Sequence, residues 1–389
     1  MSFFQLIPKY YFGKNCLENL STEIIKNKYK KILLLYGNGS IKKNGAYDQI
    51  IKQINKTKAK FFEFSGIEPN PHSTTINEAS QYARKNKIDL IIAVGGGSVI
   101  DSSKVIAAMI TNKKIDDCWD IVVKKIEHEP TTIDIFSIIT LAGTASENNN
   151  GSVVTNIHTN QKVGIGIKNG VPKIAFCDPE FTLTLSSWQT ASGIFDCFSH
   201  LLEQFYGKNN FLWTDEYCIA NIITLLKSTK NYLINSNDLI VRSNILWTTS
   251  MSLNGLAAFN INNEKSGDWT VHQIEHALSA KYNLTHGAGL ALITPTYIKY
   301  RCKRDQWFKE KTLLLGERLF NVKTIEDFDN NLLDFIKSIK LPTKYSDFIE
   351  INNISDMDMV WLAEHSAKFI FNNELNKDEL LEIIKTIPR

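Results

Sequence analysis

Several features that would assign this chain of 389 residues to a special class are missing from it. No apolar run approaches the length of a membrane span, and residues 1–12 hold no apolar core of signal-peptide length. The 44 basic and 41 acidic residues leave a net charge of +3, which is too balanced to indicate a nucleic-acid or anionic-membrane partner. We therefore expect a protein with neither kind of partner.

The cysteines also lack any organised pattern. The chain has six of them, with no CxxC pair and no dense framework: Cys16, Cys118, Cys177, Cys197, Cys218 and Cys302. Scattered thiols of this kind are typical of a reducing compartment. We expect reduced cysteines in a cytoplasmic protein.

What is present begins with an alternation of short apolar runs and helical stretches up to about residue 185. Apolar runs at 31–36, 89–94 and 133–139 predict strands, as does 61–64, and the amphipathic segment 73–86 predicts a helix. Continuous apolar strands separated by helices indicate a parallel sheet covered on both faces. The length of the chain favours two domains.

The pattern changes near residue 186, and long helical patterns follow. These patterns cover 188–206, 214–234, 238–258, 268–282, 305–320, 326–338 and 375–387. We predict an α/β domain with a parallel sheet over 1–186 and an all-helical domain over 187–389.

A glycine-rich turn follows the third apolar run. Gly95, Gly96 and Gly97 remove side chains where a ligand must approach the backbone, and Ser98 opens a predicted helix at 98–110. A helix start of this kind binds phosphate through free N–H groups and the helix dipole. A tight turn without a ligand is the alternative. The spacing differs from GxGxxG, so an ordinary Rossmann domain is not predicted.

Two further polar turns follow predicted strands. Gly37, Asn38, Gly39 and Ser40 contain no carboxylate that would repel a 2′-phosphate, and Lys42 and Lys43 follow. This composition suits NADP(H), and an ordinary polar turn explains it equally well. Residues 140–149 supply small hydroxyl groups for a nucleotide, although Thr144 and Glu147 also fit a capped helix start.

Histidines and one aspartate are concentrated on predicted helices of the second half. Asp196, His200 and Glu203 share one helical face, and His272 shares another with His276. His286 follows just after the end of the second of these helices. One carboxylate and three imidazoles suit Zn²⁺ or Fe²⁺. We predict no ligand role for His72, His128, His158 and His365.

The segment from His272 to His276 also fits H-x-x-E-H, the inverted zinc-peptidase motif, in which Glu275 would be the general base. A five-residue pattern with two free positions arises easily by chance. A zinc peptidase stays an alternative, although it leaves the glycine-rich turns without a role.

The ordered series of motifs resembles the iron-containing alcohol dehydrogenase family over essentially the whole chain, especially its NADPH-dependent butanol dehydrogenase and broad-range aldehyde reductase branch. The resemblance is carried by residues 36–43, 66–71, 95–101, 140–149, 177–179, Asp196 with His200, 254–255 and 272–290. It implies a dehydroquinate synthase-like nucleotide domain, an all-helical metal domain and a homodimer. In this family, Gly usually stands where this chain has Ala145.

The resemblance also implies the site residues. The metal ligands fall on Asp196, His200, His272 and His286, and a further histidine beside the metal falls on His276. The cofactor contacts fall on Gly37, Asn38, Gly39, Ser40, Asn70, Gly96, Gly97, Ser98, Thr140, Thr144, Asn149 and Lys162.

The function implied is hydride transfer from NADP(H) to a small aldehyde polarised by one Fe²⁺ or Zn²⁺ ion, or the reverse reaction on a small primary alcohol. A glycerol dehydrogenase or a dehydroquinate synthase-like enzyme would use the same scaffold, and both stay alternatives.

Overall fold

The computed structural model of the protein describes residues 8–208, 211–259, 267–351, 353–368 and 375–389. Its elements form two compact units. One contains the described residues up to Ser186 together with Ile234–Asn254, and the other contains those of Ser187–Leu233 and Gly255–Arg389. The predicted division into domains 1–186 and 187–389 stays a prediction, and Ile234–Asn254 packs with the first unit.

The first unit is built on a parallel sheet, as the apolar runs predict. Its strands are β1 (Lys9–Phe12), β2 (Lys31–Tyr36), β3 (Lys60–Phe64), β4 (Leu90–Gly95), β5 (Asp134–Ile139) and β8 (Ile174–Cys177), and β6 (Gly151–Asn156) and β7 (Gln161–Gly166) form a separate antiparallel pair. The order across the sheet is β1-β8-β5-β4-β2-β3, and every neighbouring pair is parallel. Strand β4 is buried along its whole length, which is why its sequence is continuously apolar.

The helices follow in chain order. In the first part of the chain they are α1 (Leu20–Lys26), α2 (Ser40–Lys43), α3 (Ala46–Ile54), α4 (Ser73–Asn86), α5 (Gly97–Thr111) and α6 (Cys118–Val122). Later helices are α7 (Ser187–Phe205), α8 (Leu212–Ile234), α9 (Leu239–Ser252), α10 (Thr270–Tyr282), α11 (His286–Arg304), α12 (Gln306–Phe320), α13 (Ile325–Ser338), α14 (Asp356–Lys368) and α15 (Lys377–Thr386).

The predicted α/β and all-helical halves are confirmed, with several differences in detail. Elements absent from the predictions include strands β1 and β8, the β6–β7 hairpin and helices α11 and α14. In α11, Gly287, Gly289 and an interior Pro295 weaken the helical pattern. The predicted helix 238–258 was wrong at its end. Helix α9 ends at Ser252. Gly255 has a φ of 88°, which lies outside the range of a right-handed helix, so the helix cannot extend through this residue.

Helix α9 packs on the first unit through its side chains. Trp247 makes an edge contact with Tyr10 at 5.3 Å between ring centroids, and Arg242 Nη1 donates to the carbonyl of Thr182 at 2.9 Å. These contacts explain why α9 belongs to the unit that contains the sheet, although its neighbours in the sequence are helices of the other unit.

The carboxyl ends of three adjacent strands position the polar turns. Strand β4 lies between β2 and β5, and all three run in the same direction. The turns that follow them therefore emerge at one edge of the sheet, which is where ligands bind in open α/β sheets. Among the helices that the structure describes, none is both long and apolar enough to cross a membrane.

Candidate functional site

Helix α7 presents its acidic and imidazole groups from a buried face. Asp196, His200 and Glu203 are all buried, and they repeat at the spacing that places side chains on one side of a helix. Apolar neighbours such as Phe195 and Phe198 fill the rest of this helix. The predicted alignment of the three polar groups is confirmed.

Two more helices of the same unit bring the remaining histidines. His272 and His276 lie one turn apart on α10, and His286 is the first residue of α11. Helix α11 packs closely on α7 at Gly287, where a Cβ atom would lie only 1.9 Å from the carbonyl oxygen of Ser192. This glycine lets the start of α11 reach the Asp196 side of α7.

Three histidine nitrogens lie near one carboxylate oxygen of Asp196. Asp196 Oδ1 lies 3.5 Å from His200 Nε2, 3.6 Å from His286 Nε2 and 3.8 Å from His272 Nε2. Ligand atoms about 2.1 Å from one ion in a tetrahedral arrangement lie about 3.4 Å from each other. The three distances from Asp196 Oδ1 are close to this spacing, and potential ligand atoms of Asp196, His200 and His272 all lie within 4.8 Å of one another.

Two atoms of this group test whether a cation fits. Asp196 Oδ1 and His272 Nε2 are buried, and neither has a hydrogen-bond partner among the residues that the structure describes. Buried polar atoms are nearly always partnered, so an unpartnered carboxylate oxygen facing an imidazole nitrogen fits a metal ion between them. A carboxylate with imidazoles is the ligand set of Zn²⁺ or Fe²⁺.

A second layer of carboxylates orients the imidazoles. Glu203 accepts a hydrogen bond from His272 Nδ1, and it also accepts from the backbone N–H of Val271 at 3.1 Å. Glu275 accepts from His286 Nδ1 and is fully buried. Each of these bonds leaves Nε2 of the histidine directed at Asp196, the arrangement usual for a metal-binding histidine.

The electrostatics favour positive charge at the centre. Burial opposes ionisation of Asp196, yet the facing imidazoles hold the pKa of this carboxyl well below its usual range. Burial lowers the pKa of His200 to about 3, so this ring is neutral at pH 7 and free to ligate a metal. Burial also opposes protonation of His272, but the carboxylates of Glu203 and Asp196 raise its pKa to about 10.

His276 lies beside the group rather than in it. Its ring centroid is 5.6 Å from that of His286 and 6.4 Å from that of His272, and it is partly exposed. Glu275, His276 and His286 also place potential ligand atoms within 4.8 Å of one another, but Glu275 is already bonded to His286 and Ser279. His276 thus lies near His272 and His286, and its role stays a prediction.

The turns of the sheet unit contact one another at glycines. A Cβ atom on Gly97 would lie 2.4 Å from Thr144 Cγ2, and one on Gly96 would lie 3.1 Å from Leu141 Cβ. No side chain caps the start of α5, which begins at Gly97 and includes Ser98. Phosphate binding at this turn stays a prediction.

The other predicted cofactor residues differ in exposure and backbone conformation. Gly37 and Gly39 are partly exposed, Asn38 and Ser40 are exposed, and Gly39 has a φ of 92°. Lys42 Nζ, which follows this turn, lies 4.8 Å from the ring centroid of Tyr47 and 5.7 Å from that of Tyr36. Asn70 also has positive φ, and Lys162 is buried on β7.

Residues 140–149 are shaped by their own hydrogen bonds. Thr140 is buried at the end of β5, and Thr144 Oγ1 accepts from the N–H of Ser146 at 3.3 Å. Asn149 accepts from the N–H of Gly151 at 2.9 Å and donates to the carbonyl of Ala145 at 2.9 Å. Ala145 adopts a φ of 50°, a conformation that glycine adopts more readily than alanine.

Sequence reasoning missed a buried lysine that supports this loop. Lys104 on α5 is fully buried, and it donates to Ser146 Oγ at 2.7 Å and to the carbonyl of Gly151. Its nearest acidic partner is Asp101, at 3.6 Å. The spacing of Asp101 and Lys104 along one helix could have indicated that they interact. No local pattern indicates that Lys104 is buried.

The roles of Glu203 and Glu275 were also missed. Glu203 shares a helical face with Asp196 and His200, and this spacing was the available signal. No local pattern indicates that Glu275 contacts a histidine on another helix.

Comparison with known proteins gives a consistent picture. The family model for "Iron-containing alcohol dehydrogenase" matches residues 8–179, and the one for "Fe-containing alcohol dehydrogenase family, C-terminal" matches residues 190–387. A probable NADH-dependent butanol dehydrogenase of Bacillus subtilis is 36% identical, over 97% of this chain and 97% of its own length. An NADPH-dependent aldehyde reductase of Escherichia coli is 31% identical, over 87% of this chain and 86% of its own length.

A solved structure shows the same fold. The crystal structure of an NADH-dependent butanol dehydrogenase A from Thermotoga maritima superimposes with a TM-score of 0.92, at 30% identity, over 100% of this chain and 99% of that one.

Proposed function

The chain belongs to the iron-containing alcohol dehydrogenase family, and from this premise we propose that it interconverts small primary alcohols and aldehydes by metal-dependent hydride transfer with NADP(H). The observation that carries the proposal is the convergence of His200, His272 and His286 on Asp196 Oδ1, at 3.5–3.8 Å. A divalent ion held there would polarise a carbonyl group as a Lewis acid, and a bound nicotinamide would supply or accept the hydride.

The residues of the chain have separate tasks in this proposal. Asp196 and the three histidines would hold the ion, and the Asp196 carboxylate would partly neutralise its charge. Glu203 and Glu275 fix the ring orientation of His272 and His286. His276 is one turn from His272 and partly exposed, so we assign its imidazole the task of holding or moving the proton of the alcohol product.

A reductase assay with and without chelator tests the proposal. NADPH oxidation by the purified protein with butanal should be lost after dialysis against a chelator and restored by Fe²⁺ or Zn²⁺. Activity that persists at full level in metal-free protein, or no reductase activity with any small aldehyde in the metal-loaded protein, would overturn it.

The choice of NADP(H) rests on the charge of the turn after β2. No carboxylate lies between Gly37 and Ser40, and the ammonium group of Lys42 lies close by on α2. The neighbouring carboxylate of Glu63 accepts hydrogen bonds from both Tyr36 and Tyr47, at 2.8 and 2.7 Å. Two tyrosine hydroxyl groups thus already occupy the Glu63 carboxylate, and a 2′-phosphate at this turn would lie near the ammonium group of Lys42. The names of the Bacillus and Thermotoga relatives point the other way, towards NADH.

Cofactor preference is measured as the ratio of kcat/KM for NADPH to that for NADH. We expect a ratio above one, and Gly39→Asp should lower it at least about tenfold relative to Gly39→Asn, because only Asp adds a negative charge. Asn is the matched control, since both side chains meet the same positive φ of 92° at this position. A wild-type preference for NADH would contradict the assignment of NADP(H) from the turn after β2. It would not contradict the proposed reductase activity.

The peptidase alternative has no support from the comparisons. Glu275, which would be its general base, is fully buried and bonded to His286 and Ser279. The dehydrogenase proposal predicts that His276→Ala keeps the metal and loses turnover. Loss of the metal from His276→Ala, with Glu275→Gln still metal-loaded but inactive, would reverse the assignment.

A further inference from the structure

The residues that precede α10 adopt an unusual backbone conformation beside the metal cluster, meaning Asp196, His200, His272 and His286. Gly267 has a φ of 105°, and Trp269, the residue before the first turn of α10, has φ 59° and ψ 8°. Large side chains rarely adopt this left-handed conformation, and where they do, the surrounding structure enforces it, often at a ligand site.

A buried hydrogen-bond network enforces the conformation. The N–H of Asp268 donates to the carbonyl of Glu203 at 2.9 Å, which ties this segment to α7. The Asp268 carboxylate accepts from the N–H of Thr270 at 3.1 Å, from Tyr297 Oη at 2.6 Å and from Arg301 Nη1 at 3.1 Å. Asp268, Tyr297 and Arg301 are all buried. The backbone around Trp269 is therefore held from both sides.

The lack of a side chain at Gly267 gives room to the indole of Trp269. A Cβ atom on Gly267 would lie 2.4 Å from Trp269 Nε1 and 2.8 Å from its Cε2. Any other residue at this position would displace the ring, in addition to the cost of its positive φ. The sequence Gly267-Asp268-Trp269 thus favours a single position of the Trp269 indole.

That placement is next to the metal cluster. The indole makes edge contacts with the rings of His272 and His200, at 5.4 and 6.2 Å between centroids. His200 and His272 are buried, whereas Trp269, His276 and His286 are partly exposed. Solvent therefore reaches this group of rings at Trp269, His276 and His286, and we take this as the side from which a small molecule approaches the cluster.

We propose that Trp269 determines substrate specificity, its indole forming an apolar wall against which the alkyl chain of a short, unbranched aldehyde packs. This inference rests on the proposed reductase function and adds the class of substrate to it. An indole face contacts methylene groups without offering a hydrogen bond to a hydroxyl, so it favours alkyl over hydroxylated aldehydes. A flat ring held rigidly also excludes branching next to the carbonyl group.

Three variants test the inference. Trp269→Gly removes the wall and accepts the positive φ without strain, Trp269→Phe keeps a smaller apolar wall, and Trp213→Ala removes an exposed indole on α8 as the control. The measurements are bound metal per chain and kcat/KM for ethanal, butanal, hexanal and 2,2-dimethylpropanal.

The expected result is a change in the pattern of substrates, not only in the rate. In Trp269→Gly, the ratio of kcat/KM for butanal to that for 2,2-dimethylpropanal should fall at least about tenfold with bound metal unchanged. Trp269→Phe should lie between this variant and the wild type, and Trp213→Ala should keep the wild-type ratio.

The outcomes separate the two proposals. If the wild type reduces none of these aldehydes, the reductase proposal itself fails. If the wild type is active and both Trp269 variants bind metal with a butanal to 2,2-dimethylpropanal ratio within about twofold of wild type, the specificity role is overturned. Loss of metal from both variants would also overturn it, since Trp269 would then only support the cluster. If Trp269→Gly does not fold, the ratio in Trp269→Phe decides.

Discussion

The carboxylate of Glu203 shows how a single residue acts on the metal cluster without being a ligand. It fixes His272 through Nδ1, so Glu203→Gln should weaken metal affinity by about 10–100-fold while the fold is kept. Competition with a chelator of known affinity measures the change. Glu216→Gln is the control, because Glu216 is a partly exposed residue of α8 paired with Arg318. Equal affinity in both variants would argue against an orienting role.

A second single residue, Lys104, stabilises the loop after β5 rather than the metal cluster. Lys104→Met removes the cation that faces Asp101 and the donor to Ser146. The partly exposed Asp101 carboxylate would keep its hydrogen bonds from Ser146 and Val153 but lose the cation. Losing a hydrogen bond from a charged donor costs about 1.5–3 kcal/mol. Urea unfolding should show a loss of this order at pH 7, and the affinity for NADPH should fall as well. An unchanged unfolding midpoint would contradict the assignment.

The same residue also makes a pH prediction. Burial lowers the pKa of Lys104 from 10.5 to about 8, although Asp101 and Glu147 oppose the shift. Between these two values the unfolded chain binds a proton at this residue that the folded protein does not, so raising the pH favours folding. The stability of the wild type relative to Lys104→Met should therefore rise from about pH 8 to pH 10.5. A difference that stays constant or falls over this interval would show that Lys104 is not shifted downwards.

At the scale of elements, the metal cluster depends on how closely α11 approaches α7. Gly287→Ala would place a methyl group 1.9 Å from the carbonyl oxygen of Ser192, so the helices must separate and carry His286 away from Asp196. We expect weaker metal binding and loss of most activity in this variant. Gly164→Ala on β7 is the control, since its nearest contact would be an ordinary 3.9 Å to Val153. Full metal content and activity in Gly287→Ala would mean that this contact is not needed.

At the scale of the whole molecule, metal removal should affect the two compact units differently. The proposed ligands come from α7, α10 and α11, which belong to one unit, whereas the sheet belongs to the other. An ion that binds only the folded state stabilises the structure that holds it. Hydrogen exchange should therefore speed up in these three helices after chelation, change little in β2, β4 and β5, and return to its original rate when the metal is restored. Equal acceleration in sheet and helices would contradict a site confined to one unit.

Local patterns in the sequence determined much of the architecture on their own. The runs that became β2, β4 and β5 are continuously apolar because both faces of a parallel sheet are covered, and their glycine-rich ends mark the turns. The spacing of Asp196, His200 and Glu203 predicts a shared helical face, because the helix repeat is a local property of the chain. The two halves and most of the proposed ligands follow from such patterns.

Only the tertiary structure decided which groups meet. The packing of α11 on α7 at Gly287, and not any local repeat, brings His286 to Asp196, and it makes Glu275 a partner of His286. The burial of Lys104 and the placement of the Trp269 indole also depend on residues distant in the chain. A side chain's spacing along its own element is encoded locally, but its partners depend on close packing between elements, which no short stretch of sequence specifies.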